Sequence, residues 1–187
     1  MMGEPGTKEP LSLSELDAVA GLRTGRKHIL SILVENRPGA LTRIAGLFAR
    51  RGFNIETLTV GPTADKELSR VTLIVDGAVH PIDQVTKQLY KLINVIKIRD
   101  LEPAGTIERQ LALFKVATSD DAARSELLEL VSVFRGAVID VSRRVLVIEI
   151  TGDENKIAAF EEIVRSYGLI EMMRTGMVAM GRGHSET

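Results

Sequence analysis

"RGFNIE", residues 51–56, returns at residues 135–140 as "RGAVID". A match this short arises readily by chance. It gains weight from its surroundings, because both copies stand where a helix-patterned segment gives way to a strand-patterned one. Working outward from each copy, the same order of elements appears.

In the first half, residues 29–35 are apolar on both faces, as a central strand is. Leu41, Ile44, Ala45 and Phe48 recur at helical spacing, opposite Thr42, Arg43, Arg50 and Arg51, and Gly52 stops that helix. A second strand over 53–60 is followed by a Gly-Pro turn at 61–65. A third strand over 68–76 closes at Asp76-Gly77. Pro81 opens a second helix with Ile82, Val85, Leu89, Leu92 and Ile93 on one stripe, and residues 95–101 form the fourth strand.

The second half repeats the order. A strand spans 111–117, and Asp120 caps a helix carrying Ala123, Leu127, Leu130, Val131 and Phe134. Strands follow at 137–141 and 145–150. Asp153 caps a helix (Ile157, Phe160, Val164, Tyr167) that ends at Gly168, and a last strand spans 170–180, broken at Gly176. The class is α+β, two tandem ferredoxin-like βαββαβ domains. The expected division is an N-terminal arm at 1–26, domains at 27–102 and 107–187, and a linker at 103–106. Ser12 to Glu15 reads as a capping box opening a short helix in the arm.

Composition excludes several functions. With 24 basic against 25 acidic residues the chain lacks the basic face that a nucleic acid requires, and aromatics at 4% leave no base-stacking platform. No apolar run reaches the roughly 18 residues that span a membrane, and the first 26 residues lack the pattern of a signal peptide, so the expected location is cytoplasmic. There is no Cys, and His28, His80 and His184 have no i, i+4 partner, which argues against a metal site or a nucleophilic triad. Walker and Gly-x-Gly-x-x-Gly loops are absent. Asp120-Asp121 and Glu161-Glu162 are adjacent pairs, which do not face one another on a helix and so make poor acid–base couples.

What remains is the first strand-to-helix turn, Glu35-Asn36-Arg37-Pro38-Gly39-Ala40. Free N–H groups and the positive end of the helix dipole favour a carboxylate there. Gly39 lets a ligand approach the backbone, and the Asn36 amide both donates and accepts. Taken alone the stretch is read as a turn. Asn54, an amide between the apolar Phe53 and Ile55, shifts the balance toward recognition of a small zwitterion with an apolar side chain. The second copy has Thr118-Ser119-Asp120-Asp121 and Val138 at the corresponding positions, so it lacks both features together.

These residues resemble a known family. "HILSILVENRPGALTRIAGLFARRGFNIETLTVGPT" (28–63), "LSRVTLIVDG" (68–77) and "QLYKLINVIKI" (88–98) are similar to the ACT domain of the acetohydroxyacid (acetolactate) synthase small regulatory subunit. The likeness extends through "IERQLALFKV" (107–116), "FRGAVIDV" (134–141) and "RTGMVAMGRG" (174–183), leaving only the first 26 residues outside it.

The resemblance implies a non-catalytic chain. It would form a homodimer through its ACT domains and bind an effector, valine or another branched-chain amino acid, at their interface. Asn36, Gly39, Ala40 and Leu41 would come from one protomer, and Asn54 and Ile55 from its neighbour. The implied partner is the large catalytic subunit, which would carry thiamine diphosphate, Mg2+ and FAD and which this chain would activate and make subject to feedback inhibition. No cofactor is expected on this chain. Arg37-Pro38 departs from the family loop and leaves effector identity open. Two other classes compete: a free-standing amino-acid-sensing ACT protein controlling transcription or another enzyme, and an enzyme on a ferredoxin-like scaffold. The first lacks a basic helix-turn-helix, and the second lacks a nucleophile, base and metal set.

Overall fold

The computed structural model describes residues 27–76, 81–183 and 187. The N-terminal arm with its capping box, Gly77, His80 and His184 lie outside the described residues. The first unit runs β1 (Lys27–Glu35), α1 (Ala40–Arg51), β2 (Ile55–Pro62), β3 (Leu68–Asp76), α2 (Ile82–Leu89) and β4 (Val95–Leu101). Its strands pair antiparallel in the order β2-β3-β1-β4. Period-2 alternation sends Leu30, Ile32, Val34, Val71, Leu73 and Val75 to one face, where they meet Ile44, Leu47, Phe48, Val85 and Leu89 of the two helices. Each such side chain contributes roughly 1.5–3 kcal/mol by leaving water.

The second unit runs β5 (Thr106–Ala117), α3 (Asp121–Val133), β6 (Ala137–Val141), β7 (Val145–Gly152), α4 (Glu154–Gly168), β8 (Leu169–Arg174) and β9 (Val178–Gly181). Strand order is β6-β7-β5-β8, which repeats the first unit position by position. Ala112, Phe114, Val116, Leu146, Ile148 and Ile150 face Leu127, Val131, Ile157, Phe160 and Val164. Phe160 is the centre of this core, edge-on to Phe114 at 5.0 Å and to Phe134 at 5.1 Å. The architecture is therefore α+β, two tandem ferredoxin-like βαββαβ domains.

Four details differ from the periodicity. The buried stripe of α1 is Ala40, Ile44, Leu47 and Phe48, leaving Leu41 and Ala45 exposed. α2 ends at Leu89, so Leu92 packs against the core from a turn while Ile93 is 81% exposed. β2 begins at Ile55, because Phe53 belongs to the turn: its N–H donates to Phe48 O at 3.0 Å and its ring meets Phe48 edge-on. β5 begins at Thr106, inside the stretch read as linker, because its first residues find a partner that periodicity does not reveal.

That partner is β9. The last strand divides into β8 and β9, and β9 pairs with residues Thr106 to Arg109 rather than continuing along the rest of β5. Met177 and Ala179 bury against Ile29, Ile74 and Leu101, on the face of the first sheet opposite its helices. Gly176 stands so close to β2 that a Cβ there would lie 2.3 Å from Thr59 Oγ1 and 2.9 Å from Leu58 O. The Thr57 and Thr59 hydroxyls are buried at this junction without a hydrogen-bond partner.

The repeated hexapeptides do different work despite their aligned letters. In the first copy Gly52 adopts φ 68° and has open space where a Cβ would be. In the second the left-handed residue is Arg135, at φ 48°, one position earlier. Gly136 N–H then donates to Val131 O at 2.8 Å, closing the helix. A Cβ on Gly136 would lie 2.4 Å from Ile150 Cδ1 and 2.9 Å from Glu149 O. One glycine supplies a backbone angle, the other a close approach.

Candidate functional site

β1 delivers the chain to the loop at Glu35, and hydrogen bonds then hold each residue in place. Glu35 N–H donates to Asn94 O and Asn36 N–H to Glu67 O. The Asn36 amide donates a second bond, at 2.9 Å, to Lys66 O. This attaches the loop to the β2–β3 hairpin and leaves the Asn36 side-chain oxygen and its second N–H for other partners. On the other flank Asn94 donates to Glu35 Oε2 at 2.9 Å and accepts from Arg43 at 3.0 Å. Asn94 and Arg43 thus brace the loop. Both contacts join residues more than fifty positions apart, so no local pattern announces them.

Gly39 adopts φ 84° and starts α1 with no side-chain cap, and the first helical turn holds no acidic residue. The helix begins at Ala40, and its first donor with an acceptor at i−4 is Arg43 N–H, to Gly39 O at 3.0 Å. The amides of Leu41 and Thr42 therefore have no intrahelical acceptor. The second copy closes the equivalent helix itself: Asp120 Oδ1 accepts from Ala123 N–H at 2.8 Å. That backbone bond, helped by the Ser119 hydroxyl, holds the Asp120 carboxyl below the usual carboxylate range. The first helix start is open to a carboxylate, and the second already contains one.

The six residues singled out from the sequence do not meet within one chain. Asn36, Gly39, Ala40 and Leu41 cluster at the end of β1, with Ala40 buried and Leu41 40% exposed. Asn54 is exposed just before β2, and half-buried Ile55 packs against the first core. Both β1 and β2 run antiparallel to β3, so they are parallel to each other. Glu35 is level with Leu68, whereas Ile55 is level with Val75. Seven strand residues separate those levels, on the order of 20 Å. Asn36 and Asn54 lie at opposite ends of the sheet.

β2 is an edge strand, paired with β3 alone among the described residues. It exposes Leu58 and Val60 on the helix side, 36% and 43% accessible. An exposed apolar edge invites pairing with another strand. Among the described residues no group of three His, Asp or Glu is placed to hold a metal ion, and no helix is long and apolar enough to cross a membrane.

Comparison with known proteins covers almost all the described chain. Residues 30–97 match a family model described as an AHAS small subunit-like ACT domain, and residues 109–183 match one described as the small subunit of acetolactate synthase. A probable acetolactate synthase small subunit from Methanothermobacter thermautotrophicus is 51% identical over 156 residues, which cover 83% of this chain and 93% of that one. One from Archaeoglobus fulgidus is 49% identical over 160 residues, 86% of this chain and 99% of that one. The crystal structure of the acetolactate synthase small subunit from Thermotoga maritima superposes with a TM-score of 0.79 at 43% identity, covering 86% of this chain and 99% of that one.

Proposed function

The chain belongs to the acetolactate synthase small-subunit family, and from that premise we propose that it is the regulatory, non-catalytic partner of a large catalytic subunit. In this proposal it raises the activity of that subunit and makes it subject to inhibition by valine, or another branched-chain amino acid, held between two copies of the first domain. The catalytic partner carries the thiamine diphosphate, Mg2+ and FAD of the reaction.

The observation that carries the proposal is the separation of Asn36 and Gly39 from Asn54 and Ile55 within one chain. Pairing β2 antiparallel with its copy about a two-fold axis near Leu58 brings the neighbour's Asn54 to the level of Pro62. Pro62 is level with Ser69, and Ser69 with Val34, two residues before Asn36. A two-fold interface is self-complementary, so the same pairing makes two such sites. The same act removes Leu58 and Val60 from water.

At each site the ligand carboxylate meets the uncapped start of α1, its ammonium the two asparagine oxygens, and its side chain Leu41 and Ile55. Burying an isopropyl group contributes roughly 1.5–3 kcal/mol, which suits a metabolite sensed at ordinary cellular levels. A coupling of about 1–3 kcal/mol then gives several-fold to hundredfold inhibition.

The test is reconstitution. The purified chain alone should form no acetolactate; added to its large subunit it should raise the rate, and valine should then lower it. Turnover by the chain alone, or a large subunit indifferent to its addition, would overturn the proposal.

A further inference from the structure

We propose that the chain carries a second small-molecule site, at the junction of its two domains, which takes a zwitterionic amino acid with an apolar side chain. A cavity of about 550 Å3 opens there between the β2–β3 hairpin and β9. That is within the range of roughly 300 to 1,000 Å3 in which small molecules are bound. It lies on the face of the first sheet opposite the helices, so it is separate from the start of α1 and does not depend on the Asn36–Gly39 reading.

The lining contains one cationic side chain, Arg70, and one anionic side chain, Asp65. They are not ion-paired to each other among the described residues. Arg70 is fixed by donating from Nη1 to Ser31 Oγ at 2.9 Å, and it also donates to the main-chain oxygen of Thr187. Ser31 is buried, so the guanidinium has a rigid anchor, and the oxygen of Thr187, the last residue of the sequence, already stands where a ligand carboxylate would bind and would be displaced by it. Asp65 is held by its turn: its N–H donates to Thr63 Oγ1, and its Oδ1 accepts from Glu67 N–H at 2.9 Å. Oδ2 is left to accept from an ammonium.

Val178 and Met180, 56% and 61% exposed, supply an apolar wall on the β9 side. One positive group, one negative group and an apolar wall describe the complement of an amino acid. A phosphate dianion would meet the Asp65 carboxylate with only one cation to offset it. Such a ligand touches both domains, since Arg70 and Asp65 belong to the first and β9 to the second.

Calorimetry of the full chain carrying Gly39→Asp, which blocks the first site, tests the proposal with L-leucine, L-isoleucine and L-methionine. At least one should still bind, one per chain. 4-Methyl-2-oxopentanoate and isoamylamine, which each lack one of leucine's charges, should bind at least tenfold more weakly. Arg70→Gln should weaken binding at least tenfold. Because Arg70 also anchors Ser31, Met180→Trp, at an exposed position, provides a second variant that fills the cavity without touching that bond, and it too should abolish binding. No binding by the Gly39→Asp chain overturns the proposal, and so does binding that neither Arg70→Gln nor Met180→Trp weakens. If wild type binds and Gly39→Asp removes all binding, the first site stands and this one falls. If Gly39→Asp changes nothing while Arg70→Gln and Met180→Trp abolish binding, the reverse holds.

Discussion

Gly39→Asp should leave the chain folded and able to activate its catalytic partner, yet raise the valine concentration needed for inhibition at least about hundredfold, or about 2.7 kcal/mol. The fold tolerates the change. Nothing lies within 4 Å of a Cβ built at Gly39, and aspartate is among the residues that adopt a left-handed backbone most readily. The φ of 84° costs on the order of 1 kcal/mol. The ligand loses its place for the same reason. The introduced carboxylate would stand at the helix start proposed for the effector's carboxylate and repel it, at the position that Asp120 holds at the equivalent helix start in the second domain. Gly39→Ala separates the two effects, since it carries the backbone strain without the charge. Its inhibition constant should move several-fold less, measured by valine titration of the reconstituted enzyme.

Gly136→Ala should destabilise the chain by about 1–3 kcal/mol, the range for forcing an extra carbon into a packed core. The nearest obstacle, Ile150 Cδ1, sits in the fully buried second core, and the next is the backbone oxygen of Glu149, which moves only with β7. For a unit of this size each kcal/mol lowers the melting temperature by roughly 4–8 °C. Arg135→Gly should do the opposite. It removes the left-handed penalty of about 1–2 kcal/mol and returns about 0.5–1 kcal/mol as chain entropy, for a net gain below about 1.5 kcal/mol. Thermal unfolding of the two variants beside wild type checks both signs. Equal melting temperatures for all three would mean that the α3–β6 turn is looser than these distances require.

The contrast at Arg135-Gly136 shows how far sequence reading reaches. Alignment of RGFNIE with RGAVID located the repeat correctly, because both copies place a helix end before a strand. It could not show that the left-handed residue shifts by one position, since that depends on how closely β7 approaches the turn. Strands β3, β4 and β6 were legible to the residue, being bounded by strong turn signals. β9 was not, because its partner is the start of β5 and its buried side chains face the other domain, a tertiary relation without local periodicity.

For the candidate site, residue types and an open helix start were readable from Asn36, Gly39 and Asn54. Their arrangement was not. Family resemblance assigned Asn54 to a second protomer, and the parallel course of β1 and β2 supplies a physical reason for that assignment. The brace formed by Glu35, Asn94 and Arg43 escaped sequence reading altogether, since polar side chains at a strand end and in a turn have many possible partners.

The central claim is that one effector site is completed by two copies of this chain. A heterodimer of differently tagged Gly39→Asp and Asn54→Ala chains, purified and combined with the large subunit, tests it most directly. Each parent homodimer has both sites broken. The heterodimer concentrates both lesions in one site and leaves the other intact. Valine inhibition should therefore be absent from either parent and return in the heterodimer, to roughly half the wild-type depth if the two sites act independently. A heterodimer as unresponsive as its parents, or an Asn54→Ala homodimer that responds like wild type, would contradict the account.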